Sequence, residues 1–146
     1  MPDSTKHFRR LLNAPKSDPS SLSSVSQDQG VYAFWLRDDP SVCLKVGIAG
    51  PRSGKGLRER VHYHYSSNLE NSVLARHLAA DVTSSWSANR DFSVREQRRS
   101  FLAAECYCRA LPVPGITASE LRQLEVFVVG KLNPRYIGRV RRKMAR

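Results

Sequence analysis

Two apolar runs joined by a short polar turn constrain the fold of this chain more than any other feature. Val31 to Leu36 is rich in aromatic and β-branched residues, and Val42 to Ala49 is a second apolar run. The residues between them, Arg37-Asp-Asp-Pro-Ser41, have the composition of a turn. Because this connection is too short for a parallel crossover, the two runs predict an antiparallel hairpin.

The rest of the chain predicts a third strand and several helices. Phe101 to Leu111 alternates between apolar and polar residues, which favours a strand. Helical spacing or capping signals mark Leu57 to about Ser66, about Leu69 to Ala80, and Thr117 to about Leu132. We therefore expect an α/β fold with a small, mainly antiparallel three-stranded sheet flanked by helices.

The chain is expected to hold one domain with a short extension at each end. Residues 1–29 predict a flexible lead-in, with a short helix from Thr5 to Asn13 and a serine-rich linker from Lys16 to Gln29. The domain itself is expected to span residues 30–134. Residues 135–146 form a basic tail with six basic residues and no acidic one.

Net charge is the first indication of function. Lys and Arg number 24 against 13 Asp and Glu, a net charge of +11, which favours a polyanionic partner. We expect DNA, with RNA not excluded, and a generic basic surface is the alternative. No run approaches the roughly 18 apolar residues of a membrane span, so no membrane association is expected.

The three cysteines indicate a reducing compartment. Their number is odd, and the close pair, Cys106 and Cys108, has the spacing C-x-C, which fits neither a disulfide framework nor a zinc knuckle. The N-terminal sequence has no apolar run, so no secretory signal is expected. Reduced thiols in a cytoplasmic protein are the resulting prediction.

One carboxylate is placed where apolar residues are expected. On the helix from Thr117 to Leu132, an apolar stripe contains Glu125, with Leu121, Leu124, Val128 and Leu132 as its other members. A carboxylate that faces a core is costly unless a cation accompanies it. Glu125 is therefore a candidate metal ligand, and the alternatives are a pairing with a core arginine or a position at the edge of the stripe.

Three further polar residues suit phosphate chemistry. Arg60 and His64 lie four residues apart on one helix face, and together they offer a donor fork and a titratable ring. Lys45 interrupts an apolar strand, where we expect Cys43, Lys45 and Gly47 on one face. The alternatives are a solvated helix face and a lysine that protects an edge strand.

Together these pieces resemble the GIY-YIG nuclease family, over a span from Gly30 to about Asn133. The matching pieces are GVY, KVGIAG, GLRERVHYH, LRQLEVFVVGKL and the asparagine of LNPRY. The family includes excision-repair endonucleases, homing endonucleases and some restriction enzymes, so the resemblance implies an activity without fixing a biological pathway.

The resemblance implies a role for each matching residue. Tyr32 would contact or activate the attacking water, and Arg60 would hold the scissile phosphate. His64 would take part in proton transfer, and Asn133 would lie near the cut site. Glu125 would bind a single divalent metal, Mg²⁺ or Mn²⁺.

Lys45 departs from the family pattern, because better-known members carry a second tyrosine at this position. A tyrosine has a pKa near 10 and is a poor base at neutral pH. A neighbouring cation would favour its ionised form. We hypothesise that Lys45 lowers the pKa of Tyr32, or contacts the water or the phosphate itself.

The sequence thus predicts a metal-dependent endonuclease that hydrolyses DNA phosphodiester bonds. A non-catalytic nucleic-acid-binding module on the same fold is the alternative, and Lys45 is its main support. Further basic residues are expected to bind the nucleic-acid backbone, namely Lys55, Arg58, Arg135, Arg139, Arg141, Arg142 and Lys143. So short a chain predicts low sequence specificity or a protein partner that targets it.

Overall fold

The computed structural model describes residues 3–50 and 54–138. Its helices and strands are, in chain order, α1 (Ser4–Leu12), β1 (Lys16–Ser17), β2 (Gly30–Leu36), β3 (Cys43–Ala49), α2 (Leu57–Ser66), α3 (Val73–Ala80), α4 (Arg95–Glu105), β4 (Cys106–Pro112) and α5 (Ala118–Leu132). Short 3-10 helices occur at Pro19–Ser24 and Ser85–Ser87. None of the helices in these two ranges is long and apolar enough to cross a membrane.

The strands form one antiparallel sheet in the order β1-β4-β2-β3. The predicted hairpin is confirmed, since β2 pairs with β3 and places Tyr32 opposite Gly47 and Phe34 opposite Lys45. The α/β class and the antiparallel sheet are also confirmed. The expected number of three strands is wrong, because β1 adds a fourth strand beside β4. A strand of two residues is too short to produce an alternating pattern.

The predicted third strand was wrong over its first half. Residues Arg95–Glu105 form α4, and the strand begins only at Cys106. Phe101 and Leu102 are both buried although they are adjacent, which a half-exposed strand does not allow but a helix against the core does. A short apolar run does not distinguish the two structures by its period alone.

The N-terminal segment contributes to the core, which corrects the expected flexible lead-in. The predicted first helix is present as α1, and it buries Leu11 completely. In β1, the Ser17 hydroxyl donates to the Cys108 carbonyl at 3.1 Å and ties the segment to β4. The serine-rich stretch shows no hydrophobic periodicity, because its polar side chains, such as that of Asp18, cap a 3-10 helix locally.

Helices cover both faces of the sheet. Tyr32 and Phe34 point to one face, where α2, α3 and α4 pack, while Val31 and Trp35 point to the other, where α1 and α5 pack. A register shift between Phe34 and Trp35 pairs Trp35 with Cys43. Cys43 therefore lies on the α5 face, and the expectation that it shares a face with Lys45 is corrected.

The end of the described chain crosses the edge of β3. α5 begins with the predicted capping box and ends at Asn133, which adopts the left-handed conformation with φ 46°. Beyond it, the Arg135 amide donates to the Cys43 carbonyl at 2.8 Å, and the Tyr136 amide donates to the Leu44 carbonyl at 3.0 Å. This segment is thereby held beside the strand that carries Lys45.

Leu11→Ala tests whether α1 is part of the folded domain. Leu11 is 0% exposed, whereas its neighbour Leu12 is 39% exposed and gives a matched control. We expect Leu11→Ala to lower the free energy of unfolding by about 2–5 kcal/mol in urea titrations. Leu12→Ala should lower it by less than about 1 kcal/mol. Equal small effects of both variants would mean that α1 does not contribute to the stability of the folded domain.

Candidate active site

A buried chain of hydrogen bonds connects β2, α2 and the start of α3. Tyr32 Oη lies 2.7 Å from His64 Nε2, and His64 Nδ1 lies 2.7 Å from Ser72 Oγ. Ser72 Oγ also accepts the Ala75 amide at 2.9 Å. Tyr32, His64 and Ser72 are each no more than 4% exposed. Two residues selected separately from the sequence, Tyr32 and His64, are therefore in direct contact.

Tyr32 reaches His64 because a glycine lies opposite it. Gly47 pairs with Tyr32 across the hairpin, and a β-carbon at position 47 would overlap the tyrosine hydroxyl. Glycine at this position leaves the space that the tyrosine ring fills. The GVY and KVG pieces of the sequence thus form one packing unit.

The charges of three side chains act on this pair. Lys45 comes from β3, Arg60 from α2 and Glu125 from α5. Within residues 3–50 and 54–138, none of the three has a hydrogen bond or an ion pair, and the buried Nε of Arg60 lacks a partner. Unpaired charges at half-buried positions are costly, and they are typical of sites that bind a ligand.

The charges act on the ionisation of the buried pair. Burial, together with the charges of Lys45 and Arg60, lowers the pKa of His64 to about 3. Burial raises the pKa of Tyr32, the charge of Arg60 lowers it in part, and that of Glu125 raises it. The cation that favours ionised Tyr32 is therefore Arg60, which corrects this part of the hypothesis for Lys45.

Lys45 is instead coupled to Glu125. Burial raises the pKa of the Glu125 carboxyl, and the charge of Lys45 opposes that shift. Burial lowers the pKa of the Lys45 ammonium, and the charge of Glu125 opposes that shift in turn. β3 is an edge strand, which fits the alternative that Lys45 protects this edge. Lys45 is, however, half-buried, and it faces the carboxylate of Glu125.

Lys45 and Glu125 share a cavity of about 460 Å³ at the β3 edge. Its other lining residues are Val46, Val73, Val126, Val129, Pro134, Tyr136, Ile137 and Gly138. Val126 and Ile137 are 67% and 60% exposed, so the walls of the cavity are apolar and open to solvent. The site thus combines a cation and a carboxylate in one open cavity.

Asn133 directly precedes Pro134, one of the residues that line this cavity. It is the exposed C-cap of α5, and no hydrogen bond links its side chain to the other predicted residues that the structure describes. Its role at a cut site stays a prediction from the resemblance.

The basic residues predicted to bind a nucleic-acid backbone are partly engaged within the protein. Lys55 pairs with Glu59 at 3.1 Å. Arg58 donates to two carbonyls of the N-terminal segment, both at 2.9 Å. Arg135 pairs with Asp81 at 3.2 Å. The other four predicted residues, Arg139, Arg141, Arg142 and Lys143, lie outside the described residues.

Sequence reasoning missed Ser72. The predicted helix started near Leu69, whereas α3 begins at Val73 and Ser72 is its N-cap. A serine before an apolar helical run is a capping signal, so the residue was identifiable as a cap. Its contact with His64 was not identifiable from the sequence, because that contact joins two helices.

A polar network that holds the cavity wall was also missed. The Tyr136 hydroxyl donates to Asp81 at 2.7 Å and accepts from Trp86 Nε1 at 2.9 Å. The His77 ring stacks on the Tyr136 ring with centroids 5.2 Å apart. These contacts fix residues 134–138 on the α3 side of the cavity, and no sequence pattern indicated them.

Comparisons of this chain with known protein families, with curated proteins and with solved structures find no match. The likeness to GIY-YIG nucleases therefore stays a likeness of short sequence pieces. Any function must be argued from the geometry of the site.

The low pKa of His64 predicts a specific loss of stability in acid. Its folded pKa of about 3 lies below its ordinary value of 6.5, so the unfolded chain binds the proton more readily. Stability from this group is complete above pH 6.5 and falls as the pH drops toward 3, by up to about 1.4 kcal/mol per pH unit.

The measurement is urea unfolding of wild-type protein and of His64→Gln between pH 4 and pH 7. We expect a shallower pH dependence in His64→Gln, because the titrating group is gone. His62→Gln removes an exposed histidine from the same helix and should keep the wild-type dependence. Parallel curves for all three proteins would contradict a buried neutral imidazole.

Proposed function

We propose that this protein is a divalent-metal-dependent endonuclease that hydrolyses DNA phosphodiester bonds. The observation that carries the proposal is the contact between Tyr32 and His64 and the action of three charges, those of Lys45, Arg60 and Glu125, on the ionisation of that pair. A generic basic protein has no reason to bring together an unpaired carboxylate, two unpaired cations and a buried tyrosine.

The proposed roles follow from what phosphodiester hydrolysis requires. The guanidinium of Arg60 has no protein partner among the described residues, so its donor fork is available to a phosphate. Such a cation stabilises the charge that develops on the phosphate oxygens. Tyr32 is 4% exposed and lies within the field of Arg60, and we assign its hydroxyl the contact with the attacking water or a phosphate oxygen.

Glu125 fits the chemistry of a hard divalent cation. Mg²⁺ accepts one or two carboxylates and completes its shell with water and substrate oxygens. Within the described residues, no group of three His, Cys, Asp or Glu side chains is placed to hold a metal ion, so Glu125 would act as a lone ligand. The metal would neutralise charge on the phosphate and polarise a bound water.

Lys45 limits how tightly that metal is held. Its positive charge acts on Glu125, so it competes with a cation for the same carboxylate. Binding of the metal without nucleic acid is therefore weak under this proposal, and phosphate oxygens supply the missing ligands.

Affinity for the substrate is proposed to depend on charge rather than on base contacts. The net charge of +11 favours DNA without sequence preference. RNA is the other substrate to test, and a protein partner would be needed for targeting to particular sites.

The three cysteines are free and buried. Free thiols support action in a reducing compartment such as the cytoplasm.

Nicking of supercoiled plasmid by the purified full chain tests the proposal. With Mg²⁺ or Mn²⁺ we expect nicked product, and with EDTA none. Glu125→Gln and Arg60→Ala should each lower the rate by about 10²-fold or more, because each removes charge stabilisation from the transition state. Both variants should retain most of the wild-type affinity for DNA.

The matched controls are Glu96→Gln and Arg99→Ala, which make the same charge changes in an exposed ion pair on α4. Both should cleave at the wild-type rate. DNA binding without cleavage of plasmid, branched DNA or RNA under any metal would favour a non-catalytic binding module. Equal cleavage by Glu125→Gln and wild type would refute the assigned metal ligand.

Lys45→Met tests the coupling between Lys45 and Glu125. Removal of the cation raises the pKa of the Glu125 carboxyl, so a larger fraction is protonated at mildly acidic pH. We expect the acidic limb of the cleavage rate to move to higher pH. Lys6→Met, an exposed change on α1, is the control. An acidic limb in the same place as in wild type would contradict this role of Lys45.

A further inference from the structure

The hydroxyl proton of Ser72 has one acceptor within reach. Ser72 is fully buried, and its Oγ already accepts the Ala75 amide proton at 2.9 Å. In the described part of the chain, the other polar atom at hydrogen-bond distance from Oγ is His64 Nδ1, at 2.7 Å. A buried hydroxyl that cannot reach water donates its proton to an available acceptor.

We infer that Ser72 donates to His64 Nδ1 and thereby holds the imidazole as the tautomer that carries its proton on Nε2. Either tautomer leaves one hydroxyl proton unpaired among the described residues: the opposite one leaves that of Ser72, which is 0% exposed, and this one leaves that of Tyr32, which is 4% exposed and lies at the proposed site. With Nδ1 occupied as an acceptor, Nε2 is the donor in the 2.7 Å contact with Tyr32 Oη.

This assignment changes the role of His64. The Tyr32 oxygen accepts a hydrogen bond from His64, and its own proton has no partner among the described residues. That proton can reach a water or a substrate oxygen only through the 4% of Tyr32 that is exposed, and the Nε2 proton stabilises the oxygen if Tyr32 ionises. His64 then acts as a donor that favours tyrosinate, rather than as the base that takes the tyrosine proton.

The charges around His64 agree with a neutral ring. Lys45 faces it from β3, Arg60 from its own helix and Arg76 from α3, and all three disfavour a second proton on the imidazole. Glu125 acts on Tyr32 rather than on His64. A neutral ring can carry its proton on either nitrogen, and the contact with Ser72 selects one of them.

The tautomer can be measured without any nucleic acid. In the full chain labelled with ¹⁵N-histidine, long-range ¹H–¹⁵N spectra distinguish a proton on Nε2 from one on Nδ1. The His64 signals are identified by their loss in His64→Gln. We expect the Nε2–H pattern from pH 6 to pH 8, and an Nδ1–H pattern overturns the inference.

Two substitutions test whether Ser72 sets the tautomer. Ser72→Thr keeps both the helix cap and the hydroxyl donor, so the Nε2–H pattern should remain. Ser72→Asp keeps a cap that accepts the Ala75 amide, but it offers only acceptors to the ring. It should therefore shift the proton to Nδ1. An Nε2–H pattern in folded Ser72→Asp overturns the role of Ser72.

The functional consequence rests on the proposed nuclease activity and is tested separately. Ser72→Thr should nick plasmid at the wild-type rate, while Ser72→Asp should be about 10-fold slower or worse, with unchanged affinity for DNA. Loss of the helix cap alone would not change the tautomer. A flipped tautomer with wild-type cleavage overturns the donor role in catalysis. Absence of cleavage by wild type refutes the proposed function and leaves the tautomer result standing.

Discussion

The candidate site depends on the packing of Tyr32 against Gly47 across the β2–β3 hairpin. The tyrosine hydroxyl fills the space that any side chain at position 47 would need, and from there it meets His64. Side chains alternate between faces along a strand, so a slip of β3 by one residue would move Lys45 to the other face and remove Gly47 from its position opposite Tyr32. The register of the hairpin therefore determines which side chains form the site.

The distribution of charge gives the site its second constraint. Arg98 is buried but donates to three backbone carbonyls, and Arg135 is paired with an aspartate. Lys45, Arg60 and Glu125 lack such partners in the part of the chain that the structure describes. Among the described residues, Arg98 and Arg135 thus have protein partners, although the Nε of Arg98 lacks one, whereas the side chains of Lys45, Arg60 and Glu125 have none. That contrast is expected where stability is given up for binding or chemistry.

Signals contained in a few neighbouring residues were sufficient to predict much of this fold. The hairpin, α2 and the capping box of α5 depend on residues close in sequence, and all three are present. The boundary at Cys106, the cap at Ser72 and the short β1 depend on contacts between distant segments, and these were missed or misplaced. The candidate residues were selected by type and position, and among them the structure brings Tyr32 into contact with His64. That Lys45 acts on Glu125 and Arg60 acts on Tyr32 follows only from the way α2, α5 and β3 pack.

Residues 134–138 have two roles, and the same short segment provides both. Backbone amides of Arg135 and Tyr136 pair with one end of the β3 edge, and the same segment forms a wall of the cavity. An unpaired strand edge is a template for association with another chain. This segment therefore protects the sheet against edge-to-edge self-association while it shapes the site. Loss of residues from Pro134 onward would present first as aggregation, and only then as a change in binding.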